Sequence, residues 1–401
     1  MKYKILVVFL LLAVFTNWFS FVGWNPTSGG RFIQLVLYAL MLYSVVNIKK
    51  INCYHTNLKP LLLCFMLIPF LSVIPALVIH GQDVSSSFYS TKKNLLYLMF
   101  FLPFLLKIKE EDMLKLFLYL GVAWCVVEII QQFTFPKVWF AVRTATDEVE
   151  VEIRNGIYRY NTVGREFGLI MLFYSFVQYM KTRKRLFLFG FVLGLVGIYI
   201  LATRQIMVAS ALCLLYGMFS LGKMKLSSFL GIAVVFTVIY LNMDVLFGEY
   251  IEKTTNDLTD DYVRFASYEF YGISYNEGNF LRILLGNGDP GRNTSYANEI
   301  SKFEDYGLFR ADVGIVGMYS LYGIVYVICV ILFFAFCYHK RRYIDLYLKM
   351  YIVFMLVTSV MLWHFGYSYE RISIMSCIFF LIDKSISRNK ILQLKQRNLC
   401  V

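Results

Sequence analysis

Residues 185–221, RLFLFGFVLGLVGIYILATRQIMVASALCLLYGMFSL, decide the fold class. Two apolar runs, 187–202 and 206–221, are separated only by Thr203-Arg204-Gln205. Each approaches the roughly 17–25 residues that cross a bilayer as a helix. Lipid offers the backbone no hydrogen-bond partners, so a run of this kind must satisfy its own amides, and it does so as a helix.

Such runs recur along the whole chain. About 12 are read as membrane spans: 5–23, 32–48, 60–79, 94–107, 114–133, 162–180, 186–202, 206–221, 227–243, 313–337, 346–363 and 370–383. The expectation is an all-α polytopic membrane protein, a single integral domain over 1–401 with one long outer loop at 244–312. The short spans at 94–107 and 370–383 suit tilted or partly re-entrant segments. The first span follows Lys2 and Lys4, as in a signal peptide, but bulky Trp18, Phe19, Phe21 and Trp24 stand where a small-residue cleavage site belongs. A retained helix is expected there.

Composition agrees. The chain is 59% hydrophobic and 16% charged, against roughly 45–50% and 25% in soluble domains. With the amino terminus inside, cytoplasmic segments hold 22 of the 39 Lys and Arg but 5 of the 26 Asp and Glu, as the positive-inside rule requires. Both termini are then cytoplasmic, and the net charge of +13 reports topology. It does not point to nucleic acid, because the bases do not gather on one soluble face. The eight cysteines lie in spans or on the inner side, so no structural disulfide is expected. No Cys or His spacing suggests a metal, and no cofactor is expected.

Polar chemistry is confined to the outer segments. The 244–312 stretch carries 13 acids, 6 bases and the turn Gly286-Asn287-Gly288-Asp289-Pro290-Gly291. That turn formally matches GxGxxG, but Pro290 interrupts it and no βαβ context surrounds it, so it is read as a turn bringing backbone close to substrate. Asn293-Thr294-Ser295 is a glycosylation sequon in form only. Arg204, between two spans at the outer face, is either an interfacial anchor or a ligand for phosphate oxygens, which its planar fork suits. Arg154, Arg159 and Arg165 stand outside in IRNGIYRYNTVGREFG. Arg154 has nearby acids with which to pair, Arg159 is set further from them, and Arg165 adjoins Glu166. Arg264 lies in a stretch suited to an amphipathic helix on the membrane face. Glu128 and His364 are further titratable groups. The aromatics around His364, including Tyr367, suit either an interfacial belt or stacking on sugars.

In order and layout these features resemble the bacterial O-antigen polymerase and O-antigen ligase superfamily. The likeness rests on the outer Arg159–Gly168 segment, TRQIMVAS at 203–210, Arg264 before LLGNGDPG at 284–291, and DVGIVGMYSLYGIVY following the loop. It covers 150–330 in detail and the whole chain in topology. It implies glycosyl transfer at the periplasmic face of the bacterial inner membrane, from an undecaprenyl-pyrophosphate-linked oligosaccharide to a sugar hydroxyl, with membrane lipid, a chain-length regulator and a flippase as partners. The matching arginines Arg159, Arg204 and Arg264, with Arg154 beside them, would bind the pyrophosphate. Ligases usually carry a His late in the large loop, and none occurs from Asp244 to Asp312. The polymerase is therefore the expectation, with the ligase, or a non-enzymatic polysaccharide or lipid transporter, as alternatives. Asp312, Asp305 and His364 are the candidates for the base.

Overall fold

The apolar runs fold as helices, and the computed structural model describes residues 2–24, 26–54, 56–142, 151–154, 156–222, 263–276, 278–366 and 368–399. The principal helices are α1 (Lys2–Phe15), α2 (Pro26–Val46), α3 (Lys59–Leu71), α4 (Val73–Val78), α5 (Val84–Thr91), α6 (Glu110–Thr134), α7 (Arg165–Thr182), α8 (Arg185–Ile200), α9 (Arg204–Ser220), α10 (Val263–Gly272), α11 (Phe280–Leu285), α12 (Ser295–Asp305), α13 (Gly314–His339), α14 (Leu346–Thr358) and α15 (Tyr369–Leu399). Strands β1 (Val151–Arg154) and β2 (Ile157–Tyr160) form one antiparallel hairpin. Among the described residues, three segments are long and apolar enough to cross a membrane: Lys59–Val78, Glu110–Thr134 and Gly314–His339. The expected span at 227–243 and the first part of the 244–312 segment, through 262, lie outside the described residues.

Several spans differ in form from the expectation. The 60–79 span bends at Ser72, between α3 and α4, after Pro69 has removed a backbone donor. The 94–107 span begins as a 3₁₀ helix, Lys92–Phe100, followed by the short helix Leu102–Leu105. The 370–383 span is only the first part of the 31-residue α15. The 3₁₀ segment packs against α15, so the two short spans are neighbours.

Contacts orient the bundle. Gly217, near the end of α9, lies against Phe176 of α7 and Met350 near the start of α14. Helix α8 runs opposite to α7, since Gly190 meets Ser175 and Gly194 meets Leu172, and α9 returns after a short turn. Helix α14 also runs opposite to α7, since Tyr347 meets Tyr174 while Arg165 acts on Tyr351 and His364 further along. At about 1.5 Å per residue, Arg165, Arg204 and the turn after α14 reach the same end. The hairpin joins them there, because Gln132 of α6 accepts from Tyr158 N (3.1 Å) and donates to Tyr158 O (2.7 Å), and β2 also touches α8. We call this the arginine end.

The 263–312 segment is fastened to this bundle by backbone. Helix α13 is broken at Gly323, which takes φ +75° and ψ −179°. A break inside an apolar helix strands carbonyls that lipid cannot satisfy. Here the amide of Asn287 donates to Ser320 O (2.9 Å), the amide of Gly288 donates to Leu321 O (2.8 Å), and Asn287 Nδ2 adds a second bond to Ser320 O (2.9 Å). A Cβ on Gly323 would sit 2.2 Å from Leu284 O, and one on Gly286 would sit 2.2 Å from Leu321 O. Both glycines are thus required by backbone-to-backbone contact. The GNGDPG turn does bring backbone close to something, but that something is the chain's own broken helix.

Alanine at Gly323 or Gly286 should therefore cost more than about 2 kcal/mol, read as a lower melting temperature and loss of monodisperse protein in detergent. Alanine at Gly30, which has open space around its Cβ position, should leave both unchanged.

Candidate functional site

The Arg159–Arg165 segment is positioned by one polar face of α6. Trp124 Nε1 donates to Thr162 Oγ1 (3.2 Å), Thr162 also bonds to the buried Glu128, and Tyr160 Oη donates to Gln131 O (3.0 Å). Glu128 is thus committed to holding the chain that leads into α7. Arg159 is nearer an acid than sequence distance suggests. The hairpin register sets it opposite Glu152, and Arg159 Nη1 meets Glu152 Oε2 at 2.8 Å. The backbone of Arg154 ends β1, and its side chain lies outside the described residues, as do Arg143, Asp147, Glu148 and Glu150. Arg165 Nε contacts Glu166 Oε1 at 3.1 Å, the local pair their adjacency suggested.

Arg204 opens α9 directly after the extended Thr203. Arg264 lies in the first turn of α10. Tyr268, one turn on, feels the charges of both Arg264 and Asp312 and donates its hydroxyl to Val360 O, so these groups meet beside the turn that follows α14. Asp312 is exposed at the foot of α13, and Asp305 is exposed at the end of α12.

His364 sits in that turn but is not an open base. It is buried at 3% exposure, with Nε2 2.7 Å from Thr358 Oγ1. The Thr358 hydroxyl donates to Phe354 O (2.7 Å), so the imidazole must supply the proton of the shared bond, from Nε2. Burial, with Arg165 and Arg371 nearby, holds the His364 pKa well below its ordinary value. Arg371 Nη1 in turn donates to Trp363 O (2.6 Å). The expected aromatic belt is partly internal, since Trp363 and Phe365 are buried, and Tyr367 lies outside the described residues.

A second group of cations escaped the sequence reading. Lys93 Nζ meets Asp289 Oδ1 at 2.9 Å, and Tyr322 Oη donates to Asp289 Oδ2 (2.6 Å) and to Gly366 O (3.2 Å). Lys92 is fully buried, with its ammonium 3.4 Å above the Tyr89 ring and 3.2 Å from Tyr38 Oη. No carboxylate among the described residues pairs with it. Tyr369 lies within electrostatic reach of Tyr38, Tyr89, Arg292 and Asp289, which closes the group. The available signal was a pair of lysines directly before an apolar run, on the side where lysines are disfavoured.

The remaining polar groups of the 263–312 segment hold that segment together. Arg310 is buried at 5% exposure, with its guanidinium 5.4 Å from Tyr271 and 5.9 Å from Tyr275. His80 stacks on Tyr296 at 4.0 Å and places Nε2 3.1 Å from Asn287 Oδ1. Burial lowers its pKa, although Asn287 and Glu299 oppose the shift.

The arginine end is therefore a cationic, aromatic-rich surface. It is suited to phosphoryl oxygens, and Arg264 and the exposed Asp312 both lie within electrostatic reach of Tyr268.

Lys93→Met or Asp289→Asn alone leaves one buried charge unpaired and should cost about 3–5 kcal/mol; the double variant should recover much of that in a thermodynamic cycle. His364 is neutral in the fold, and protonation favours the unfolded chain, so its stability contribution is complete above about pH 6.5 and is lost as pH falls below it. Melting temperature should decline from about pH 6.5 to 5, and His364→Gln should make that decline shallower, with His80 contributing a residual slope of the same sign.

No protein-family model and no curated protein matches this chain, so the roles of these residues rest on geometry and on the order of motifs.

Proposed function

We propose that the chain is a polymerase of lipid-linked oligosaccharide repeat units in a bacterial inner membrane. About 12 spans would place both termini in the cytoplasm and the 244–312 segment in the periplasm. A sugar hydroxyl would attack the anomeric carbon of a glycan carried on undecaprenyl pyrophosphate. The bond from that carbon to the phosphate oxygen breaks, the lipid pyrophosphate leaves, and the hydroxyl proton passes to a carboxylate.

The observation that carries this reading is the grouping of Arg159, Arg204 and Arg264, with Arg165 and Arg371, at one end of an apolar bundle beside the polar 263–312 segment. Negative charge develops on the leaving pyrophosphate, and fixed guanidinium groups stabilise it without a metal. Asp312 takes the role of base and His364 does not, since its imidazole is sealed and already engaged. Arg292 adds an exposed cation, and Tyr38, Tyr89 and Tyr369 offer rings to a sugar face or to the start of the polyprenyl chain.

The test is reconstitution of the full chain into vesicles with an undecaprenyl-pyrophosphate-linked repeat unit. Chains of several units and released undecaprenyl pyrophosphate are expected. Transfer only to a lipid A core acceptor would make it a ligase, and movement of intact units across the bilayer would make it a transporter. Arg204→Ala should lower the rate by about 100-fold or more with unchanged expression; chains of unaltered amount and length would overturn the clamp.

A further inference from the structure

The opposite end of the bundle carries a cleft of about 740 Å³, the size of a small-ligand site. Its walls are Tyr54 and Thr56, the 103–111 stretch leading into α6, and one stripe of α15 running from Asp383 to Leu392. Along α15 it lies roughly 20–35 Å from Tyr369, remote from the arginine end.

The charges lining the cleft are unequally committed. Arg388 is held by Glu110 (3.1 Å) and by Asp345, and Asp383 accepts the amides of Asn57 (2.6 Å) and Leu58 (3.2 Å). Lys107 and Lys109 form no ion pair among the described residues, whereas Lys384 acts through space on Asp383 and Glu110. Lys384 holds its ammonium 4.6 Å from the centre of the Phe104 ring. Thr56 Oγ1, another lining group, is buried without a hydrogen-bond partner.

Lys107 occupies an unusual position. Ile108 N donates to Pro103 O (2.8 Å) and Lys107 N to Phe104 O (3.0 Å), the paired bonds of a Schellman cap. Lys107 is the left-handed residue of that cap, with φ +55°, where glycine fits at least cost. The left-handed conformation disfavours lysine there; its charge complements the carbonyl end of the helix, and an anion in the cleft would give the ammonium a partner. The rim is apolar: Ile391 and Leu392 line the cleft and are 55% and 51% exposed. Cations and an orphan hydroxyl below an apolar rim match an amphiphile with a phosphoryl head, because basic pockets between membrane helices favour anionic lipid headgroups.

We propose that this cleft binds the phosphoryl headgroup of an anionic membrane phospholipid. The site is independent of the proposed transferase and stands whether or not that reading holds.

The experiment titrates full-length protein in nonionic detergent with short-chain phosphatidylglycerol and follows the melting temperature. A saturable rise is expected, and neither phosphatidylcholine of the same chain length nor glycerol 3-phosphate should reproduce it. Lys107→Gln/Lys109→Gln/Lys384→Gln should raise the half-saturating concentration by about tenfold or more. Lys340→Gln/Arg341→Gln/Arg342→Gln, which removes the same charge from another turn at that end, should not. Lys107→Gly guards against a folding defect, since it relaxes the cap while removing the ammonium: the lipid-free melting temperature should rise and the phosphatidylglycerol response should weaken.

Equal responses to the two lipids would overturn the proposal, as would a full response to glycerol 3-phosphate, which marks a soluble organophosphate site. Equal effects of the two triple variants would reduce it to bulk charge. An unchanged response in both Lys107→Gly and the first triple variant would place the lipid elsewhere.

Discussion

The structure depends on the exchange of hydrogen bonds between two interrupted pieces of backbone. Helix α13 breaks at Gly323 and exposes carbonyls in an apolar setting, while the 286–288 turn brings amides with no helix of their own to serve. Each would be costly in the bundle without the other. Together they pin the middle of the polar 263–312 segment to the apolar helices, well away from its covalent junction with α13. Most of the local polar order follows from that fastening. Once Asn287 and Gly288 are seated, Asp289 is delivered to Lys93 and Tyr322, and Tyr322 reaches Gly366 in the turn that also holds His364.

The electrostatics of the arginine end separate structural charges from exposed ones. Arg310 spends its charge on two tyrosine rings within the 263–312 segment, and Lys93 spends its charge on Asp289. Lys92 and Arg292 are set differently: one lies beneath tyrosines with no carboxylate partner among the described residues, and the other is exposed. An anionic ligand would meet a surface whose positive groups are held from below, the arrangement that minimises reorganisation when charge develops.

The helices were legible in the sequence because hydropathy over about 20 residues is a local property, and so was the break between α8 and α9, although it falls at 201–203 and Arg204 and Gln205 already belong to α9. Features that depend on distant partners were not. Arg159 stands seven positions from Glu152, yet a hairpin register makes them neighbours. The glycines of 286–288 read as a turn, but their partners are 33 residues further on in a helix whose own break is marked by a single Gly. The 3₁₀ form of 92–100 and the burial of Lys92 arise from packing against α15 and the Tyr38 and Tyr89 rings, which composition does not encode. His364 was legible as a titratable residue in a turn; the Thr358 bond that engages it was not.

The Gly323 break also bears on biogenesis. Asn287 precedes Ser320 in the chain, so during synthesis the donors emerge before the acceptors they must meet. The residues of the turn are made first, and the helix whose carbonyls they satisfy is made second. Pairing of the turn with α13 can begin only once the later segment has been made. A chain with the same two segments in the opposite order would have to hold a broken helix in lipid until its partner appeared.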